Sequence, residues 1–156
     1  VIAIENMNFK ILIFLLFPIL NCFSQDLNIR YSDTLAMFKN DLQQCIKEHP
    51  DHELDCRKEY YHVLQDYQAD VFFAVRKVLE KSNTPAKMKE MDLTEGEWKR
   101  SSYWYIAKLM KEFQQKHPGK FVWDKEKNLV DDQRIFYIKT AQYFIDRMNV
   151  LLGLVK

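Results

Sequence analysis

Residues 45–56 read Cys45-Ile46-Lys47-Glu48-His49-Pro50-Asp51-His52-Glu53-Leu54-Asp55-Cys56, and the organisation of the chain turns on them. Proline has no N–H to donate and disfavours a helical residue before it, so a helix arriving through Ile46 must break at His49-Pro50. Asp51 can cap a new helix on the far side. The cysteines stand five residues before Pro50 and six after it. Two antiparallel helices leaving one turn bring such positions together, so a disulfide stapling the hairpin is expected, the alternative being two unpaired buried thiols.

Upstream, Leu35, Phe38, Leu42, Cys45 and Ile46 share one side of a helix predicted over Asp33 to Glu48, with Ser32 as its cap. Downstream, Tyr60, Leu64, Tyr67, Val71, Val75 and Val78 fall within about 60° of arc at 100° per residue, which predicts a helix running to Lys81. Ser82-Asn83-Thr84-Pro85 is the next break, with Thr84 as cap and Pro85 in the first helical position. The third helix carries Met91, Trp98, Tyr105, Leu109 and Phe113 on its stripe and ends at His117-Pro118-Gly119. A fourth is predicted from Asn128 to Leu152, with Ile135, Ile138, Ala141, Ile145, Met148 and Leu152 in register and Phe144 and Leu151 widening the arc. Strand-like alternation is nearly absent. The expected fold is all-α: a four-helix up-down bundle, or a helical hairpin with flanking helices, stapled by one disulfide.

Before this domain, Ile11 to Leu20 form a ten-residue apolar run preceded by Lys10, too short for a helix spanning a hydrocarbon core of about 30 Å. It reads as the apolar segment of a signal peptide, with Cys22-Phe23-Ser24 as a small-x-small cleavage site. Residues 1–24 are then upstream sequence and signal peptide, with Met7 the natural start, and 25–156 a single helical domain. A rival reading makes Cys22 a lipid anchor. Either way Cys45 and Cys56 remain as a pair in an exported, periplasmic or secreted and therefore oxidising setting, and the mature chain has no transmembrane helix.

Twenty-three Lys and Arg against 22 Asp and Glu give a net charge of +1, which offers no electrostatic case for nucleic acid or an anionic membrane as partner and all but closes that class. The three glycines are isolated, so no Gly-rich loop can cradle a phosphate and no cofactor is implied. His49, His52, Glu53 and Cys56 carry zinc-ligand chemistry, but export favours a disulfide over a thiolate ligand, and no metal site is expected. Glu59 and His62 make one Glu-x-x-His step without the second copy a di-iron bundle needs. No serine has the setting of a nucleophile elbow. The chain reads as a non-enzyme.

Aromatic residues are 14% of the chain, and several fall off the core stripes. Tyr103-Trp104-Tyr105 are consecutive and point three ways, with Trp104 about 200° from the stripe centre, while Phe73 lies opposite the Leu64 and Val71 stripe. Another helix covers them, or they anchor a protein partner; Trp104, Phe73 and Tyr103 are the candidate partner surface.

The order Cys45, Cys56, Tyr61, a Leu- and Val-rich helix and then Trp98 resembles the lysozyme inhibitor LprI-like family of small exported bacterial domains. That family places a cysteine pair before Asp-x-x-Leu-Asn-x-x-Tyr and later has Gln-x-x-Trp-x-x-x-Arg-Asp-x-x-Cys. Here Phe72 takes the Tyr place, with Val75 and Leu79 following, and Glu95-x-x-Trp98 stands for Gln-x-x-Trp. Asp66 is one residue out of place, Gln68 and Ala69 replace Leu-Asn, Ser102 stands for Arg, and no cysteine follows Trp98. The resemblance spans about Cys45 to Trp98. It implies a helical, disulfide-bonded, exported fold and lysozyme as a partner, and it carries over only the cysteine pair, as structural. The functional expectation is an exported, non-enzymatic helical binding domain that inhibits lysozyme or another cell-wall hydrolase. The alternative is a self-associating structural or envelope-assembly protein that forms a homodimer through the fourth helix.

Overall fold

The computed structural model describes the backbone of residues 7–155 and the side chains of residues 26–155. Four helices follow one another: α1 (Met7–Glu48), α2 (Glu53–Lys81), α3 (Pro85–Lys116) and α4 (Val130–Gly153), with short 3-10 turns at Pro50–His52 and Lys127–Leu129. The side chains of Ile11 to Leu20, Cys22 and the expected cleavage site before Gln25 lie outside the described residues. Among the described residues no helix is long and apolar enough to cross a membrane.

Cys45 and Cys56 are joined, with their Cα atoms 5.9 Å apart, so α1 and α2 form a stapled antiparallel hairpin. Two expected caps are absent. α1 runs unbroken through Ser32, because the polar Ser32-Asp33-Thr34 step contains neither Pro nor Gly to stop a helix propagating from either side. Asp51 sits inside the 3-10 turn, and α2 starts at Glu53 without a side-chain cap; the turn's own backbone bond from His52 N–H to the His49 carbonyl takes up part of the capping role.

The α2–α3 connection is a Schellman turn. Asn83 takes φ +50°, the Thr84 N–H donates to the Leu79 carbonyl and the Asn83 N–H to the Glu80 carbonyl, the pattern that satisfies orphan carbonyls at a helix end. Thr84 fills the N-cap position of α3, but its hydroxyl donates backwards to Leu79 instead. Pro85 begins the helix as expected.

α4 lies at the centre, with its broadest contact against α2 and α3 alongside. One apolar cluster joins α1, α2, α3 and α4 through Tyr31, Leu64, Val75, Met91, Phe144 and Met148; a second gathers Leu109, Phe113, Val122, Leu129, Phe136 and Tyr137 at the other end, and Tyr61 packs against both. Phe144 and Leu151 are buried there, so the central helix is wrapped along that arc. Ile135 and Ile138, expected inward, are about half exposed. The other four stripe residues, Ala141, Ile145, Met148 and Leu152, are buried as expected, and the buried arc of α4 extends past Phe144 to Gln133, Thr140 and Arg147, three polar residues at seven-residue spacing along its far edge. The apolar pattern placed the arc too far round the helix, towards Ile135 and Ile138, because buried polar side chains occupy its other edge.

Each of the three is bonded. The Thr140 hydroxyl donates to the Phe136 carbonyl, and Gln133 Nε2 donates to the Asp124 carbonyl. Arg147, 5% exposed at its side chain, meets Glu95, 8% exposed, at 2.8 Å. Gln68 Nε2 from α2 donates to the other Glu95 oxygen at 3.4 Å, and the Arg147 guanidinium lies 5.7 Å from the centre of the Trp98 ring. This ionic knot ties α2, α3 and α4 together.

Two stability measurements follow from this packing. Closing a loop of eleven residues restricts the unfolded chain by about 2.8 kcal/mol in the loop-entropy model, so Cys45→Ser with Cys56→Ser should lower urea stability by that order. The intact mass should rise by two protons on reduction of the native protein. Arg147→Met leaves Glu95 charged, buried and short of its main partner, and should cost about 3–5 kcal/mol. Replacing both as Glu95→Leu with Arg147→Met should cost clearly less than either single change.

Candidate functional site

α2 and α3 each turn one side to the core, and each carries aromatic side chains on the opposite side. On α2, Phe73 is 65% exposed, and on α3 Tyr103 and Trp104 are 67% and 70% exposed. The rotation of each helix fixes this. Glu95 points inward, and Trp104 comes nine residues later, about 900° or half a turn away, so it must point out.

The three candidates form two faces. The Arg76–Asp92 ion pair sets the register of α2 against α3 and places Trp104 about 13 Å along the axis from the level of Phe73. Tyr103 and Trp104 touch edge to face, with ring centres 5.3 Å apart; Phe73 instead meets its neighbour Phe72 at 5.5 Å.

The α2 face is acidic. Within about 60° of Phe73 lie Asp55, Glu59, Asp66, Asp70 and Glu80. Opposing them are Lys58, Lys77 and Arg76, and Arg76 is already engaged by Glu80 and Asp92.

The α3 face is basic. Arg100, Lys108 and Lys111 lie within about 40° of Trp104, and all three are exposed. Arg100 and Lys111 have no ion pair among the described residues. Beyond the helix, the loop after Gly119 turns tightly, with the Phe121 N–H donating to the Asp124 carboxylate at 2.9 Å. This buries Val122 and turns Phe121 and Trp123 out, 44% and 56% exposed and stacked at 4.9 Å. A shallow cavity of about 200 Å³ joins this stacked pair to Ala107, Met110, Lys111 and Gln114 of α3, so the loop continues the Trp104 face. Sequence reading passed over Phe121 and Trp123; the signal was the Phe121-Val122-Trp123 alternation, one residue in and two out.

A cavity of about 530 Å³ opens between the Pro50–His52 turn, the start of α2, the Trp123–Lys127 loop and the start of α4. Two pairs of its charged residues are engaged with one another. Arg134 donates from Nε and Nη2 to the two oxygens of Glu53, each at 2.8 Å, and Arg57 donates to Glu53 from the same helix. His52 meets Asp55 at 3.2 Å. The His49, His52, Glu53 and Cys56 set is not gathered as ligands: Cys56 is in the disulfide, and Glu53 is held by arginines. Among the described residues no three His, Cys, Asp or Glu side chains are grouped to hold a metal.

No protein-family model, curated protein or solved structure matches the chain. The residues that carry the family resemblance are scaffold: Cys45 and Cys56 make the staple, Phe72, Val75 and Leu79 pack in the main cluster, and Trp98 stacks on Tyr143 and meets Phe144.

Arg134 holds the Glu53 carboxyl below its ordinary range, with help from Arg57, and Lys116 and then His117 do the same for Asp132. Both groups therefore bind protons less tightly in the fold than in the unfolded chain. Their contribution is full above the ordinary carboxylate pKa of about 4 and is lost as pH falls through the lowered values. Urea stability should accordingly decline below about pH 4.5. Arg134→Met should flatten that acid decline while lowering stability at neutral pH.

Proposed function

We propose that this chain is an exported, non-enzymatic binding domain that inhibits a basic cell-wall hydrolase, lysozyme being the first candidate, by covering it with the outer face of α2. The observation that carries the reading is Phe73, exposed in the middle of a helix face rich in carboxylates. A basic partner suits that face, and a large aromatic standing out of it offers the kind of anchor that dominates binding hot spots. The disulfide and the buried ionic knot hold α2 rigid, so little conformational entropy is lost on docking. Export is supported by the apolar run after Lys10 and by an oxidised cysteine pair, which persists in oxidising compartments. Lysozyme as target rests on the resemblance over Cys45 to Trp98.

The test is a titration of purified, oxidised protein against lysozyme degrading cell walls. Saturable inhibition is expected, weakened about tenfold or more by Phe73→Ala, a loss typical of a hot-spot aromatic. Asp66→Lys with Asp70→Lys should slow association and remove much of its salt dependence. No inhibition at tens of micromolar, or inhibition indifferent to Phe73, would contradict the reading.

Self-association is the second reading, and the half-exposed Ile135 and Ile138 on α4 favour it. Phe144 cannot serve as its contact, being in the core. A dimer in sedimentation that is lost on Ile135→Lys with Ile138→Lys would support it; a monomer at micromolar concentration would remove it.

A further inference from the structure

The net charge of +1 conceals a segregation. Residues 26–98 carry ten Lys and Arg against fifteen Asp and Glu, whereas residues 99–127 carry eight against three. The basic stretch is the second half of α3 with the loop after it, which also displays the four exposed aromatics Tyr103, Trp104, Phe121 and Trp123.

We propose that this outer face of α3, with the Phe121–Trp123 loop at its end, lies flat on an anionic lipid surface. The argument has three parts. The first is charge: Arg100 and Lys111 flank Trp104 with no carboxylate partner among the described residues, and unpaired cations on one helix face are attracted to a negatively charged bilayer. Glu97 lies within the face, one turn after Leu93 and about 20° from Trp104 on the wheel, and offsets one of its cations.

The second is the type of apolar residue. Trp and Tyr have an apolar ring and a polar tip and settle at the level of the headgroups, where an amphipathic helix lying in the interface plane buries its apolar side. Leu93, also exposed, lies on the same wheel sector as Trp104, so the face extends from Leu93 to Lys111, about 27 Å along the axis. The third is shape. The face runs along one unbroken helix and is prolonged by a stacked aromatic pair, a surface suited to a plane. It is separate from the acidic α2 face and calls for a partner of the opposite charge.

The whole chain is used for the test. The apolar run near its N-terminus could itself meet a bilayer, but it contains no tryptophan. Tryptophan emission therefore reports the α3 face and the adjoining core alone. The probe is a vesicle of brominated phosphatidylcholine with about one third phosphatidylglycerol, and the readout is quenching and blue shift of emission. The expected result is quenching of Trp104 and Trp123, absent from vesicles of phosphatidylcholine alone and suppressed when salt is raised from about 0.1 to 0.5 M. Each cation near an anionic surface changes partitioning by about fivefold. Arg100→Gln with Lys111→Gln should therefore raise the lipid concentration for half-maximal quenching by about 30-fold, while Phe73→Ala leaves it unchanged. Trp104→Phe with Trp123→Phe should abolish the quenching, leaving the emission of Trp98 unaffected by vesicles.

Sedimentation of the chain with vesicles without tryptophan quenching would overturn the proposal, since the N-terminal run would then be the only part engaged. Equal quenching by anionic and zwitterionic vesicles would overturn it as well. So would an emission shift with polyglutamate but none with vesicles, which would assign the face to an acidic polymer or protein. None of these outcomes bears on inhibition through Phe73, which fails or stands on its own titration.

Discussion

The buried contact between Glu95 and Arg147 governs the arrangement of everything outside it. A carboxylate and a guanidinium removed from water are tolerated only where partners are supplied, and here Gln68 from α2 donates to Glu95, Lys99 lies 3.7 Å from the same oxygen, and the Trp98 ring from α3 faces the guanidinium. Such a pair adds little net stability compared with a well-packed apolar core. Its consequence is rotational: α3 cannot turn about its axis without exposing Glu95 or stranding Arg147. The same lock that keeps Trp98 against Tyr143 and Phe144 keeps Trp104 in solvent.

Axial position is set differently. The Cys45–Cys56 bond fixes α1 against α2 at one end, and the Schellman turn at Asn83 fixes α2 against α3 at the other. α4 then fills the space between α2 and α3, so it is buried over a wide arc while α1 touches mainly α2. The outcome is two outward faces of opposite character, an acidic one on α2 around Phe73 and a basic, aromatic one on α3 around Trp104. A chain with a net charge near zero can in this way offer separate surfaces to partners of opposite sign.

Much of the scaffold was legible in the sequence. Proline breaks at Pro50 and Pro85, the spacing of Leu64, Val71 and Val75, and the symmetric cysteines each act locally, and local chemistry can be read from neighbours along the chain. The stripe of α4 was legible through Ala141, Phe144, Ile145, Met148, Leu151 and Leu152 but not at its polar edge, because Gln133, Thr140 and Arg147 look like solvent-facing residues until the partners supplied by Asp124, Phe136 and Glu95 are known. The candidate face was legible in part. Tyr103, Trp104 and Phe73 stood off the apolar stripes, yet Phe121 and Trp123 sat in a stretch too short for periodicity, and only the turn closed by Asp124 shows both rings facing out. The whole-chain charge hid the separation of acidic and basic stretches, which becomes physical only when each stretch owns a helix face.

The rotational lock on α3 is most directly tested by recording the three indole N–H signals of the protein by NMR while a soluble paramagnetic agent is added. Strong broadening of Trp104 and Trp123 with Trp98 spared is the result this account predicts. Trp98 broadened as much as Trp104, or Trp104 protected in the free protein, would contradict it.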